Sequence, residues 1–384
     1  MNCAIRTGEI LSHIRDHNLR PIADSGGPVF VISDRYNGVW MEHLLDGVVW
    51  AELSGDGALA VRQLDLFFRH QKEDGQLPIA VLDNRIGYGQ IQECVSIGSL
   101  CLDALRLCPD EEKLADWYSG LTRWLQWQAA HRMTRGLGLI EMFCGYDTGH
   151  DNSCRLDGMA YHGRVCDDAA AYPEGCPVAP LIAPDMNAVY YGDHVAAADM
   201  AQRLGKEAEA ALWREKAEDI RRRLFTLCYD PEDAFFYDVD KNGTMRRIKT
   251  VAITNVLHEG VAEEPLAREI FLRHLWNERE FKAPYPFPAV AMDEPGWQRP
   301  ARENCWGYYS QALTALRATR WMPRYGLDEP LRELLTAWVT AWGRSETVHY
   351  GQELDPLTGT PSSASPWYSS CMLLHLAAEK ILNT

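Results

Sequence analysis

Leu114-Ala-Asp-Trp-Tyr-Ser-Gly-Leu-Thr-Arg-Trp-Leu-Gln-Trp127 sets apolar side chains at 114, 117, 118, 121, 124 and 125, the three-and-four spacing that lays one stripe along an α-helix. The same period recurs upstream over Trp40 to Leu53, Leu59 to Phe68 and Val95 to Leu107. Downstream it recurs over Asn187 to Leu204, Ala208 to Leu227, Leu266 to Trp276, Tyr308 to Trp321, Leu331 to Trp342 and Tyr368 to Leu382. Ser54-Gly-Asp-Gly57 and Pro109-Asp110 interrupt it with residues that end and start helices. Roughly a dozen helices, with short turns on one side and long Gly/Pro-rich loops on the other, predict an all-α array of antiparallel hairpins that closes into a toroid. The exception is 235–249, Phe-Phe-Tyr-Asp-Val-Asp-Lys-Asn-Gly-Thr-Met-Arg-Arg-Ile-Lys, which reads as a β-hairpin insertion around Asn242-Gly243.

A chain of 384 residues with 46% hydrophobic side chains can bury a large core. Length alone would allow two domains, but the continuous helical pattern reads as one, over 1–384. The formal net charge of −16 without a compensating basic stretch disfavours nucleic acid and anionic membranes as partners. Eleven cysteines follow no repeating frame and form no Cys-x-x-Cys pair, so reduced thiols are expected. The first residues, Met-Asn-Cys-Ala-Ile-Arg-Thr-Gly-Glu-Ile-Leu, lack the apolar stretch of a signal peptide or anchor. A cytoplasmic location follows as an expectation.

The long loops 133–184, 277–305 and 344–366 hold the Gly, Pro, His, Asp and aromatic residues that mark one active face. Five prolines between Pro284 and Pro300, with Tyr285, Phe287 and Trp297, predict a stiff wall over the pocket, or else a packed surface loop. Two other segments are polar, turn-rich and flanked by aromatic residues: Gly145-Tyr-Asp-Thr-Gly-His-Asp-Asn-Ser153 and His349-Tyr-Gly-Gln-Glu-Leu-Asp-Pro-Leu-Thr-Gly359. Each carries a carboxylate, Asp151 and Glu353. Glycoside hydrolysis needs such a pair, one protonated to donate to the leaving oxygen and one ionised to activate water.

Asp147-Thr-Gly-His-Asp-Asn-Ser153 resembles the acid-bearing loop of the clan that joins family 63 processing α-glucosidases, family 37 trehalases and mannosylglycerate/glucosylglycerate hydrolases, where the pattern is Glu-Ser-Gly-x-Asp-Asn-Ser-Pro. Asp151 falls on the catalytic acid. Glu353-Leu-Asp-Pro-Leu-Thr-Gly359 with Trp367-Tyr-Ser-Ser370 is similar to the clan's Glu-x-Tyr/Asp-Pro-x-Thr-Gly and Trp-Ser signature, and Glu353 falls on the general base. Weaker echoes are Trp40-Met-Glu42, Gln71-x-x-Asp-Gly-x-Leu-Pro78, Tyr88-Gly-Gln90, Pro184-Asp-Met-Asn-Ala188 and Asn304-Cys-Trp306. Cys154 stands where the clan has proline, Asp147 replaces its first Glu, and no Arg-Gly-Pro-x-Trp run lies near Trp306. The chain also lacks the length for the extra domains of the processing glucosidases.

The resemblance implies a bare (α/α)6 barrel that cleaves an α-linked glucoside or mannoside with inversion. It further implies a pocket with Glu42, Gln90, Asp147 and Asp185 as its polar set and Trp40, Tyr88, Trp306 and Trp367 as its apolar walls. Each residue also has a plainer reading. Asp151 in Asp-Asn-Ser fits a turn or helix cap, Glu353 fits a surface ion pair, Asp185 fits an N-cap, and the tryptophans fit the core. Asp238-Val-Asp-Lys-Asn-Gly243 opens like an EF-hand loop but meets Lys249 where a bidentate Glu is required. With no dinucleotide fingerprint and no ligand cluster in the sequence, no cofactor and no metal are expected, and the partner is a small neutral or weakly charged saccharide. The alternatives are a sugar isomerase using His150, His162, His194 and His349, or a carbohydrate-binding protein without activity.

Overall fold

The computed structural model describes residues 3–91, 94–159, 168–171, 175–297, 306–344 and 350–383. Its helices begin where the sequence breaks fall. Asp56 accepts the Leu59 N–H (3.2 Å), Ser96 the Ser99 N–H (3.0 Å) and Asp110 the Lys113 N–H (3.0 Å), each satisfying a donor that a helix start leaves open. Twelve α-helices result among the described residues: α1 (Cys3–His13), α2 (Leu44–Ser54), α3 (Gly57–Arg69), α4 (Ile97–Leu107), α5 (Glu111–His131), α6 (Pro184–Arg203), α7 (Glu207–Leu227), α8 (Ile253–His258), α9 (Glu264–Ile270), α10 (Ala312–Trp321), α11 (Asp328–Arg344) and α12 (Ser369–Leu382).

Burial sorts them into two layers. α6 and α12 are buried on nearly every side, as helices of a protein interior must be. α7 instead buries one stripe, Ala210, Trp213, Ala217, Ile220 and Leu224. The inner helices form a closed ring in which α2 packs on α4, α4 on α6, α6 on α8, α8 on α10, α10 on α12 and α12 back on α2. Outside it, α3 packs on α2, α5 on α4 and α6, α7 on α6, α11 on α10 and α12, and α1 on α12. This is the expected toroid. Gly98 lets α4 and α6 approach, since a Cβ there would stand 2.8 Å from the Ala196 Cβ. Trp117, Trp124, Trp321 and Trp338 are fully buried, and truncating any of them to Ala is expected to cost about 3–5 kcal/mol.

Short connections such as 55–56, 108–110 and 204–206 run from inner to outer helices, and the long ones, such as 70–96, 132–183 and 345–368, run from outer to inner. The inner helices therefore all present their N-termini to the long-loop face. That face carries short strands as well. Gly38–Trp40, Ala80–Leu82 and Ile86–Gly87 make a three-stranded antiparallel sheet, and Ser310–Gln311 pairs with Glu353–Leu354. The expected hairpin is present, Asp238–Val239 pairing with Met245–Arg246, while Phe235–Phe236 pairs back to Tyr229–Asp230.

Some elements differ from their sequence reading. The helix expected from Tyr308 starts only at Ala312, because Ser310 and Gln311 are committed to the strand opposite Glu353. The helix expected over Leu266 to Trp276 loosens into a π-turn at Phe271–Leu275. α1 and α8 had no expectation. No helix among the described residues is long and apolar enough to cross a membrane.

Candidate active site

At the N-terminal ends of the inner helices lies a cavity of about 360 Å³, within the range that holds a small sugar ligand. Its walls come from four of the long loops. The loop into α2 supplies Tyr36, Trp40, Glu42 and His43, and the loop into α4 supplies Ile79, Arg85 and Gln90. The loop into α6 supplies Tyr146, Gly149 and Asp151, and the loop into α12 supplies Gln352 and Tyr368.

Asp151 sits in a tight turn that its neighbours dictate. Gly149 (φ 70°) and Asn152 (φ 63°) take left-handed backbone, which Gly adopts freely and Asn tolerates. The Asp151 carbonyl accepts the Trp306 N–H at 3.0 Å, and the Trp306 indole stacks on His150, ring centroids 4.2 Å apart. Beneath the turn, Asp147 is fully buried. It accepts the N–H groups of Ile91 (3.1 Å), Phe143 (2.7 Å) and Cys144 (3.1 Å) and pairs with Arg132.

Glu353 is fully buried in its two-residue strand, adjacent to Gln352 of the wall. The Gln311 side-chain amide donates to its Oε2 at 2.8 Å, and the Ser362 hydroxyl to its Oε1 at 2.9 Å. The register of Gln311 opposite Glu353 places the amide there. The two-strand pairing that shortens α10 is thus what seats this carboxyl.

Electrostatics tie the walls together. Burial is the main reason the Tyr36 phenol is pushed up to about 12. Arg35 opposes the shift, and Glu42, Asp151 and Glu353 each add to it, so all three carboxyls lie within electrostatic reach of one hydroxyl. Burial, then the charge of Asp151, raises Glu42 to about 8. Burial holds His43 well below its usual value and therefore neutral, with its Nε2 hydrogen-bonded to the Tyr368 hydroxyl. One turn into α2, burial lifts Asp46 to about 7 against the hydroxyls of Ser369 and Ser370 and the charge of Arg317.

Of the residues picked from sequence, Asp151, Trp40, Glu42 and Gln90 line the cavity, with Glu353 beside it. The others lie outside its walls. Asp147 holds the Asp151 turn from below. Asp185 does not cap α6, because Ala183 is the cap residue and Pro184 the first helical one. Its buried carboxylate is bound by Arg155 at 2.8 Å. The Tyr88 hydroxyl donates to the His70 carbonyl at 2.6 Å, leaving Gly87 and Gly89 at the wall. Trp306 packs on His150, and Trp367 stacks against His13 of α1 at 4.2 Å.

Of the two readings of the proline-rich segment, the packed loop is the one its described residues fit. No residue of 284–297 lines the cavity, and Tyr285 and Phe287 are buried. The segment backs the Glu353 strand, the Ser310 hydroxyl donating to the Tyr285 carbonyl at 2.6 Å. Residues 298–300, like Asn304 and Cys305, lie outside the described residues.

Among the described residues, His43 is the histidine at the cavity. His150 is pushed down to about 3, mainly by burial. His194, pushed down to about 4 by burial, sits between α6 and α7 against Trp213. His162 and His349 lie outside the described residues. No group of three or more His, Cys, Asp or Glu among the described residues is gathered as metal ligands would be. The EF-hand-like stretch is hairpin, with the Asp240 side chain accepting the N–H groups of Asn242 and Thr244.

Sequence reading missed Tyr36, His43, Arg85 and Tyr368. Tyr368 stood inside the quoted Trp367-Tyr-Ser-Ser370, where the neighbouring Trp drew the assignment. Tyr36, His43 and Arg85 belong to no pattern that a single sequence displays.

Comparison with known proteins now decides the lineage. The family model described as Mannosylglycerate hydrolase MGH1-like glycoside hydrolase domain matches residues 48–369. The chain belongs to this family. It is a glycoside hydrolase, and the matched span includes both Asp151 and Glu353 while stopping short of Trp40 and Glu42. The fold is similar to that of the GH63 mannosylglycerate hydrolase from Thermus thermophilus in complex with Tris, with a TM-score of 0.79, 17% identity and coverage of 96% of this chain and 98% of that one. A structure of that hydrolase with Tris and D-glycerate gives 0.76 and 18%, covering 98% and 99%. Neutral trehalase from Saccharomyces cerevisiae gives 0.71 and 14%, covering 100% of this chain and 81% of that one. Over 131 residues the chain is 27% identical to an uncharacterized protein of Borreliella burgdorferi, a match spanning 34% of this chain and 26% of that relative.

Proposed function

We propose that this glycoside hydrolase cleaves an α-linked glucoside or mannoside by single displacement with inversion, with Asp151 as general acid and Glu353 as general base. One observation carries the reading. In a closed ring of six inner helices, α6 and α12 stand three steps apart, which supports an approach of the loops bearing Asp151 and Glu353 from opposite sides of the cavity. An inverting hydrolase needs its acid and its base on opposite faces of the sugar ring, about 6.5–9.5 Å apart, with room for water between them. The donors on both Glu353 oxygens fit an ionised carboxylate that only accepts.

Trp40, Glu42 and Gln90 are the sugar-binding groups of this reading, while Asp147 and Asp185, with Trp306, Trp367 and Tyr88, hold the loops that carry them. Arg85 is a cationic side chain at the wall, and a D-glycerate complex is known for the Thermus hydrolase. The aglycone side therefore accepts a neutral or a carboxylate-bearing group. The chain acts as one catalytic unit in the cytoplasm, without a metal or cofactor in any step.

The test is stereochemical and mutational. Proton NMR of fresh digests of α-glucosides, α-mannosides and their glycerate conjugates is expected to show the β-anomer first. Asp151→Asn and Glu353→Gln are each expected to lower kcat by several orders of magnitude with the fold retained. Initial release of the α-anomer, or unchanged turnover in either variant, overturns the assignment.

A further inference from the structure

Three carboxyls, not two, surround the cavity, and the third is packed against the turn that carries the acid. A Cβ on Gly149, two residues before Asp151, would stand 2.2 Å from Glu42 Oε2, so no side chain separates Glu42 from that turn. Glu42 and Asp151 both line the cavity, and the charge of Asp151 disfavours ionisation of Glu42. The Glu42 Oε1 lies 3.3 Å from Nδ1 of His43.

We propose that Glu42 and Asp151 titrate as one pair holding a single proton through the neutral range, which makes Glu42 the positioning residue that keeps the general acid charged with its proton. The inference rests on Asp151 being the acid. In the pair, Glu42 carboxylic acid and Asp151 carboxylate exchange for Glu42 carboxylate and Asp151 carboxylic acid, at constant net charge. When Asp151 has given its proton to the leaving oxygen and the base has taken one from water, the base releases its proton to solvent and the pair takes one up from solvent, which restores both for the next cycle. Such sites have macroscopic values that belong to the pair.

The groups facing Glu42 agree with this. On its own loop, His43 is neutral and Tyr36 is protonated. From α2 comes Asp46, itself raised to about 7. From the loop into α6 comes Asp151, and from the loop into α12 comes the Tyr368 phenol, pushed well above its usual value by burial and by Glu42. Among the described residues the opposing charge that acts on Glu42 is Arg317 of α10, whose Nη2 donates to the Glu42 backbone carbonyl at 3.1 Å, while Arg85 stands elsewhere on the cavity lining. Burial together with Asp151 outweighs it, as the direction of the Glu42 shift shows.

Glu42→Gln keeps the shape and removes the second charge. The alkaline limb of its kcat/KM profile is expected to move about one unit to lower pH, because Asp151 then ionises without a like-charged neighbour. A raised KM with an unmoved limb overturns the proposal and leaves Glu42 as a sugar ligand only. Infrared difference spectra between wild type and Glu42→Gln provide a readout that needs no turnover. A protonated-carboxyl band from Glu42 is expected at pH 7, and in Asp151→Asn it is expected to vanish at a lower pH than in the wild type. Absence of the band at neutral pH, or a band indifferent to Asp151→Asn, also overturns it. Failure of the wild type to hydrolyse any glycoside would instead refute the proposed function and leave the infrared result standing.

Discussion

Asp147→Ala is expected to be among the most destabilising single substitutions in this chain, although Asp147 touches no part of the cavity. Its carboxylate accepts three backbone N–H groups and neutralises Arg132, whose own side chain is buried and donates to the carbonyls of Glu141 (3.0 Å) and Ala169 (2.7 Å). Stranding a buried charge by removing its partner costs about 3–5 kcal/mol. Each buried N–H left without an acceptor adds about 1–3 kcal/mol unless water replaces the oxygen. These terms overlap, so the loss is about 5 kcal/mol, comparable to the lower end of whole-domain stabilities. Urea unfolding at pH 7 measures it from the midpoint at constant slope. Asp147→Asn keeps one acceptor oxygen and is expected to lose about 3 kcal/mol. Arg132→Met combined with Asp147→Ala is expected to recover part of the loss, because the unpaired cation is gone. A loss below about 1 kcal/mol in Asp147→Ala, or strict additivity in the double variant, refutes the argument.

Gly149→Ala adds a side chain where φ is 70° and the space is filled by Glu42 Oε2 at 2.2 Å and Cys94 Sγ at 2.9 Å. Displacing the Asp151 turn by about an ångström is expected to lower kcat roughly a hundredfold, and steady-state kinetics showing less than a threefold change would contradict it. Stability is expected to fall as pH rises from about 4 to about 7 and to level off above that. Asp46 and Asp193 are fully buried and raised to about 7, mainly by burial, so the folded chain holds protons that the unfolded chain has released above about pH 4. That contribution is complete below the unfolded values and is lost as pH climbs through the folded ones. Asp46→Asn is expected to flatten the slope of the urea midpoint against pH, and an unchanged slope removes Asp46 from the account.

The helical layers were legible because an outer helix such as α7 must show its stripe, Ala210 to Leu224, to bury one face. α8 was not, since six residues are too few to display a period. The Asp151 turn could be read locally, through Gly149 and Asn152. The resemblance puts Asp147 and Asp185 in the pocket, and the arginines that pair with them are not legible as partners in the sequence. Arg132 and Arg155 come from other parts of the chain and meet them only in the fold. The Tyr36, His43 and Tyr368 side of the cavity was hidden for the same reason. His43 and Tyr368 are 325 residues apart and become neighbours through the contact of α12 with α2.

That last contact is a seam. The loop before α2 and the loop before α12 are stitched there by the His43–Tyr368 bond, by Ser33 with Ser365 at 2.8 Å, and by Ser369 and Ser370 on Asp46. Until the seam shuts, Trp40 and Glu42 have no opposite wall. More than half of the 384 residues follow Asp151, so a growing chain carries that loop through most of the remaining synthesis before this wall of the cavity exists. A fragment that stops before α12 lacks Tyr368, Ser369 and Ser370, and with them the partners that close this side of the cavity.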